Sequence, residues 1–331
     1  MLRSSEKSRP PTIKRTLEVS GFDARLRVRS GVVILEREGK EVAKVAAIDI
    51  GVLVVDTPNA QFTTASLVEI VEHGGLVILC GADHVPSLYV LPVWGNTLQG
   101  ERKQQQLALP KRARNRVWQR LVQAKIRNQA QVAPVEEVRE ALLQLAERVK
   151  PGDPDNMEAR AARIYWSKWL DGQPFERDRY GPPPNLFLNY GYIILRGVLA
   201  RAVCAAGLDP AFGVHHVGGR SGFPLADDLM EPFRGWVDRA ALELHRMGAQ
   251  ELNKETKARL LQVLYEPAWF DSYHSTVAVA AERLVGSFVR VLTGDEKDIT
   301  VPRMPTAEEV WNHAEKGSAS QGEDGTSTSL E

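Results

Sequence analysis

Residues Gly95–Val132 read GNTLQGERKQQQLALPKRARNRVWQRLVQAKIRNQAQV, and the texture of the chain changes across them. Upstream, the sequence runs in short apolar or alternating pieces: TLEVS from Thr16, ARLRVR from Ala24, VVILERE from Val32 and EVAKVA from Glu41. Glycines and charged turns separate them, which is the signature of strands. Ile48–Val55 reads as a more buried strand and Leu76–Cys80 as another. Between them Thr63 and Thr64 open a short helix, Ala65–Glu72, closed by Gly74-Gly75. Within the quoted stretch, Pro110 stands where a helix can begin. Lys111–Val132 keeps helical period until Pro134 stops it. Downstream, helical patterns follow at Val135–Val149, Met157–Leu170, Leu186–Ala206, Leu225–Arg246, Lys254–Leu264 and Tyr273–Leu292.

The fold class expected is therefore α+β, a small N-terminal β-rich domain followed by a larger all-α domain. The expected boundaries are a disordered start (1–12), a β-rich domain (13–95), a linker (96–110), a helical domain (111–305) and a disordered acidic tail (306–331). No internal repeat is visible.

A chain of 331 residues with 43% hydrophobic content can bury a sizeable core and suits two domains. It has no uninterrupted apolar run of membrane-spanning length, and its first residues carry no apolar signal region. Cys80 and Cys204 are the only cysteines, both in apolar runs. That excludes a cysteine-rich zinc module and predicts buried free thiols in a cytoplasmic protein. Net charge is zero but unevenly spread. Glu101–Asn128 holds nine lysines or arginines against one acid, whereas Thr306–Glu331 holds six acids against Lys316. This asymmetry predicts a basic surface patch and an acidic tail.

The chemistry-bearing residues gather at Gly213–Arg234, GVHHVGGRSGFPLADDLMEPFR. His215 and His216 approach through apolar residues. A glycine turn and then Asp227, Asp228 and Glu231 follow. Imidazole and carboxylate donors together suit Mg²⁺ or Mn²⁺. Adjacent side chains in an extended segment face opposite sides, so one histidine at most serves a given site. The three acids fall three and four residues apart on one helical surface. They read either as a solvated acidic face or as a crowd relieved by a cation. Pro232 should kink that helix just past Glu231. Glu158 reads as the last member of a capping box begun by Asp155, or as a carboxylate aimed past Ala161 and Ala162 into a packed groove. Arg112, Arg116, Arg120 and Arg127 share one side of their helix, with Val117, Trp118, Leu121 and Val122 largely on the other. They read as a solvated face or as a phosphate-contacting stripe, and no nearby acid neutralises them.

Five segments, in this order and spacing, resemble one family: VWQRLVQAKIRNQA from Val117, MEARAARIYW from Met157, LNYGYIILRG from Leu188, GVHH from Gly213 and LADDLMEPFRGWVD from Leu225. The family is the CRISPR-associated endonuclease and integrase of spacer acquisition, the first-numbered Cas protein. The resemblance covers roughly Arg15–Leu292, and DLMEPFR looks most like the branch found in type II systems. It implies a β-domain that dimerises and a helical catalytic domain. It implies Mg²⁺ or Mn²⁺ held by Glu158, His216 and Glu231, with His215, Asp227 and Asp228 as supporting groups. The implied activity inserts protospacer DNA into a CRISPR repeat by attack of a DNA 3′-hydroxyl. The implied partners are DNA, a second copy of the chain, and the small ferredoxin-fold subunit of a heterohexameric adaptation complex. The type II effector nuclease is a further implied partner, and no membrane is. The competing readings are a metal-dependent nuclease acting on branched DNA outside CRISPR immunity and a catalytically idle DNA-binding scaffold.

Overall fold

The computed structural model describes residues 14–93, 95–216, 222–271, 273–306 and 309. The expected disordered start lies outside them, as does the expected tail apart from Thr306 and Glu309. So does the glycine turn after His216.

The strands are β1 (Arg15–Ser20), β2 (Ala24–Arg29), β3 (Val32–Arg37), β4 (Lys40–Ala46), β5 (Ile50–Asp56) and β6 (Gln61–Phe62). Helix α1 (Thr64–Glu72) follows, then β7 (Leu76–Cys80) and β8 (Pro86–Val90). The Thr63 hydroxyl caps α1 by accepting the Ser66 N–H at 3.3 Å. One sheet has the order β1-β5-β7-β8, parallel except for β8. The other has the order β4-β3-β2-β6.

Strand β5, IGVLVVD, is apolar along almost its whole length because both of its faces are covered. Alternate side chains serve different cores. Leu53, Val55 and Val77 pack with Val19, Leu26 and Ile70 inside the β region. Val52, Val54, Leu76 and Ile78 join the helical core. The sheet is thus a shared wall.

The helical region comprises α2 (Gln99–Ala108), α3 (Lys111–Ala130), α4 (Glu136–Arg148), α5 (Met157–Lys168), α6 (Asn185–Ala205), α7 (Pro224–Met230), α8 (Arg234–Arg246) and α9 (Lys254–Gln262). The ribbon β9 (Pro267–Trp269) and β10 (His274–Thr276) and helix α10 (Val277–Thr293) complete it. Helix α6 is long and apolar enough to cross a membrane, but 72% of its apolar window is buried inside the fold. It abuts the sheet, and a Cβ at Gly197 would meet Leu76 and the Tyr89 ring at 3.0 Å.

Three expectations are corrected. The stretch 96–110 is not merely a linker, because α2 occupies most of it. Its sequence lacks an apolar face; polar contacts hold it instead. Buried Gln106 donates to the carbonyls of Asp209 and Phe212 at 2.9 and 2.7 Å and accepts the Asp209 N–H at 3.0 Å. The region from 111 onward is not all helix, because β9 and β10 pair antiparallel. Helix α10 therefore starts at Val277, where the Thr276 hydroxyl caps it, rather than at Tyr273. The kink expected at Pro232 is present as a 3₁₀ turn, Glu231–Phe233, between α7 and α8.

Candidate metal and DNA site

Helix α3 carries the floor of the site. Trp118 and Lys125 lie two turns apart on its buried side, 4% and 7% exposed. Above Lys125, two carboxylates from different elements meet. Its ammonium donates to Glu158 Oε1 and lies 2.7 Å from Glu231 Oε2.

Glu158 stands at the start of α5, but the capping-box reading is overturned. Asp153, not Asp155, supplies the cap. Its carboxylate accepts the N–H groups of Met157 and Glu158 at 2.8 and 3.0 Å, while Asp155 pairs with Lys150. The Glu158 side chain is therefore not used in capping. Ala161, one turn on, is wholly buried against the core.

Glu231 opens the 3₁₀ turn. Arg234 grips both of its oxygens, at 2.9 and 3.0 Å. Burial alone would raise the Glu231 carboxyl, but Arg234 and Lys125 outweigh it and hold it at about 2. Burial also pushes the Lys125 ammonium down, and the Glu231 and Glu158 carboxylates more than restore it. The guanidinium of Arg234 lies 4.7 Å over the Tyr192 ring, whose hydroxyl donates to buried Asp238. Gln129 donates to the other Asp238 oxygen at 3.2 Å. The turn itself is pinned by Asn128, whose side chain donates to the Pro232 carbonyl at 2.7 Å.

The acids of α7 do not form a solvated face. Asp228 is wholly inaccessible. It accepts the Val214 and His215 N–H groups at 2.6 and 2.8 Å and binds the Nδ1 of His216. That hydrogen bond holds the His216 imidazole above its ordinary pKa. It also fixes the ring, leaving Nε2 as the nitrogen not committed to Asp228. His215 instead lies flat on Trp118, with ring centroids 4.2 Å apart and planes 4° apart. Asp227 takes the Arg196 side chain at 2.6 Å.

The arginine stripe divides. Arg112 and Arg120 are exposed, whereas Arg116 meets Asp298 at 3.4 Å and Arg127 meets Glu147 at 2.7 Å. The expectation that no acid neutralises the stripe fails at these two, because the acids come from distant sequence. A second basic surface was not foreseen. A cavity of about 710 Å³ between the β7–β8 turn and α6 is lined by Arg177, Arg179, Arg196 and Arg234, with Tyr180 and Tyr192.

Glu158 and Glu231 thus converge, and His216 is held on the neighbouring loop. Among the described residues, no three His, Cys, Asp or Glu side chains are already closed into a metal-holding group. Sequence reasoning missed Lys125, Asp153, Arg234 and Asp238. Lys125 had a signal: it falls four residues after Leu121 and three after Val122, on the apolar side of its helix, where a cation requires a buried partner.

The profile of the family described as CRISPR associated protein Cas1 matches residues 17–263. The CRISPR-associated endonuclease Cas1 of Neisseria meningitidis is 30% identical over 277 residues, covering 82% of this chain and 90% of that protein. Among solved structures, a casposase bound to integration product superposes with a TM-score of 0.69 at 18% identity, covering 92% of this chain and 99% of that one. A chain of a Cas6-RT-Cas1–Cas2 complex also gives 0.69 at 15% identity, over 87% of this chain and 36% of that one. These two likenesses establish the fold.

Proposed function

The chain belongs to the Cas1 family of CRISPR-associated proteins, and from that premise we propose that it is a metal-dependent DNA endonuclease and integrase of spacer acquisition, acting through Glu158, His216 and Glu231. The observation that carries this reading is the convergence of Glu158 and Glu231 on one positive charge, beside an imidazole already oriented by Asp228. Two carboxylates and one imidazole, with no thiolate, fit Mg²⁺ or Mn²⁺ in donor chemistry. Such an ion, when bound, polarises a phosphodiester and neutralises charge developing on its oxygens.

The residues of the chain supply positioning. Asp228 holds His216 in one orientation, and Arg234 holds both oxygens of Glu231. Arg177, Arg179 and Arg196 line the adjacent cavity with charge suited to a DNA backbone. Arg112 and Arg120, exposed on α3, offer further cationic charge. The reaction is an in-line displacement in which a DNA 3′-hydroxyl attacks a phosphodiester at the repeat boundary, forming a new P–O bond as the 3′-oxygen of the cut strand departs as a hydroxyl. No covalent enzyme intermediate is needed. Without a partner the same site would nick or cleave branched DNA.

The assembly proposed is a heterohexamer in the cytoplasm. Two dimers of this chain, each joined through its β-domains, flank two copies of a small ferredoxin-fold subunit and present two sites to two DNA ends. Support comes from the family and from the Cas1–Cas2 assembly among its fold neighbours. DLMEPFR favours the type II branch, with its effector nuclease as a further partner.

Glu158→Ala and Glu231→Ala test the reading. Each should keep DNA binding and lose strand transfer by on the order of 10³-fold or more, and a chelator should abolish the reaction in the native protein. Full integration in excess chelator would refute it. So would a Glu158→Ala protein that loses thermal stability alone.

A further inference from the structure

The two carboxylates proposed as metal donors already share a cation, and the chain provides it. The Lys125 side chain is 9% exposed and bridges Glu158 and Glu231. Leu121, Val122 and Ile126 beside it on α3 are wholly buried. A lysine placed there must be paired, because an isolated buried ammonium is strongly disfavoured. The buried Glu231 carboxylate has the same requirement, and the part-exposed Glu158 carboxylate brings a second negative charge beside it. Arg234 does not meet it for both, because it grips Glu231 and stacks on Tyr192. Only Lys125 joins the pair among the described residues. An ammonium and a divalent ion at the same two carboxylates repel each other.

We propose that Lys125 is a resident counter-ion that competes with the metal: it holds Glu158 and Glu231 in converging positions while the site is metal-free, and it withdraws from them when a divalent ion binds. Lys125 is on this account a positioning residue. It keeps the site assembled before loading and sets the metal concentration at which loading occurs. The inference rests on the reading of Glu158 and Glu231 as metal donors.

The experiment is a calorimetric Mn²⁺ titration of the metal-stripped full chain, with melting temperatures recorded in both states. Lys125→Met should bind Mn²⁺ at least about tenfold more tightly, because a like charge is removed from beside the incoming ion. Its metal-free melting temperature should fall, and the rise on adding Mn²⁺ should exceed that of the native chain. Unchanged or weaker Mn²⁺ affinity overturns the proposal. If Lys125→Met folds poorly without metal, the double variant Lys125→Met/Glu158→Gln decides the matter. Removing one of the two repelling carboxylates should recover metal-free stability. A double variant as unstable as the single one overturns the counter-ion role. The underlying reading fails separately. If the native chain binds no Mn²⁺, or if Glu158→Ala binds it equally well, the metal centre itself is refuted and the inference falls with it. If Glu158→Ala abolishes binding while Lys125→Met matches the native chain, only the inference falls.

Discussion

Asp228 organises the histidine loop without being exposed to anything that enters it. A carboxylate with no solvent access must be fully partnered, and its partners are the backbone of Val214 and His215 together with the His216 ring. Asp228→Asn keeps the volume and one oxygen for the Val214 and His215 N–H groups, but its amide NH2 replaces the oxygen that accepts from His216 Nδ1, so the ring loses the bond that sets its tautomer. Strand transfer should fall by about 10- to 100-fold, the usual cost of losing a group that orients a metal-binding histidine. His216→Ala should abolish it, and His215→Ala should cost only its stacking on Trp118, about 0.5–1.5 kcal/mol of stability. Single-turnover assays at saturating Mn²⁺, run beside melting curves, separate these. An active His216→Ala beside a dead His215→Ala would move the assignment by one residue. The sequence already implied that the two histidines part company, because adjacent extended residues diverge. It misread Asp227, Asp228 and Glu231 as one surface. Helical spacing places three acids near each other but cannot reveal that Arg196, the histidine loop and the Lys125–Arg234 pair each claim one.

At the scale of elements, α5 has an acidic cap, but not the one its sequence spacing suggests. Asp155 and Glu158 have capping-box spacing, yet Asp153 caps the helix from a backbone with φ of +49°. That conformation depends on the turn after α4, which no short motif encodes. Asp153→Ala should cost about 1 kcal/mol of stability, as removal of a cap usually does. Because Glu158 sits in that first turn, strand transfer should weaken too. An unchanged melting temperature would assign the start of α5 to other contacts. Helix α3 makes a second case. Its charged side was legible from period alone, but its ion pairs with Asp298 and Glu147 were not, being long-range. Arg112→Gln/Arg120→Gln, the unpaired two among the described residues, should weaken binding to all DNA sequences alike and reduce the salt slope by about 2. A slope equal to that of the native chain would return both residues to ordinary solvated surface.

For the whole molecule, the question is what makes two cores behave as one. The β1-β5-β7 wall does part of it, since alternate residues of β5 and β7 enter opposite cores. The sequence disclosed β5 as a buried strand but not that its faces serve different partners, because that depends on what packs behind it. A buried charge cluster also bridges the two regions. Lys257 of α9, 4% exposed, binds Asp56 at the end of β5 and lies 3.9 Å from Glu18 of β1. Asp56 also receives His84 Nδ1 at 2.9 Å. Glu18 Oε1 has no hydrogen-bond partner among the described residues, and burial raises its pKa. Lys257→Met would leave both carboxylates buried without their ammonium, at a cost of roughly 3–5 kcal/mol. Adding Asp56→Asn should recover part of the loss, since the uncompensated charge is then removed. Denaturant unfolding, followed by tryptophan fluorescence and by far-ultraviolet circular dichroism, checks both points. If the cluster couples the cores, Lys257→Met should separate the two transitions as well as lower the midpoint. Coincident transitions at the native midpoint would mean that the apolar wall alone joins the two cores.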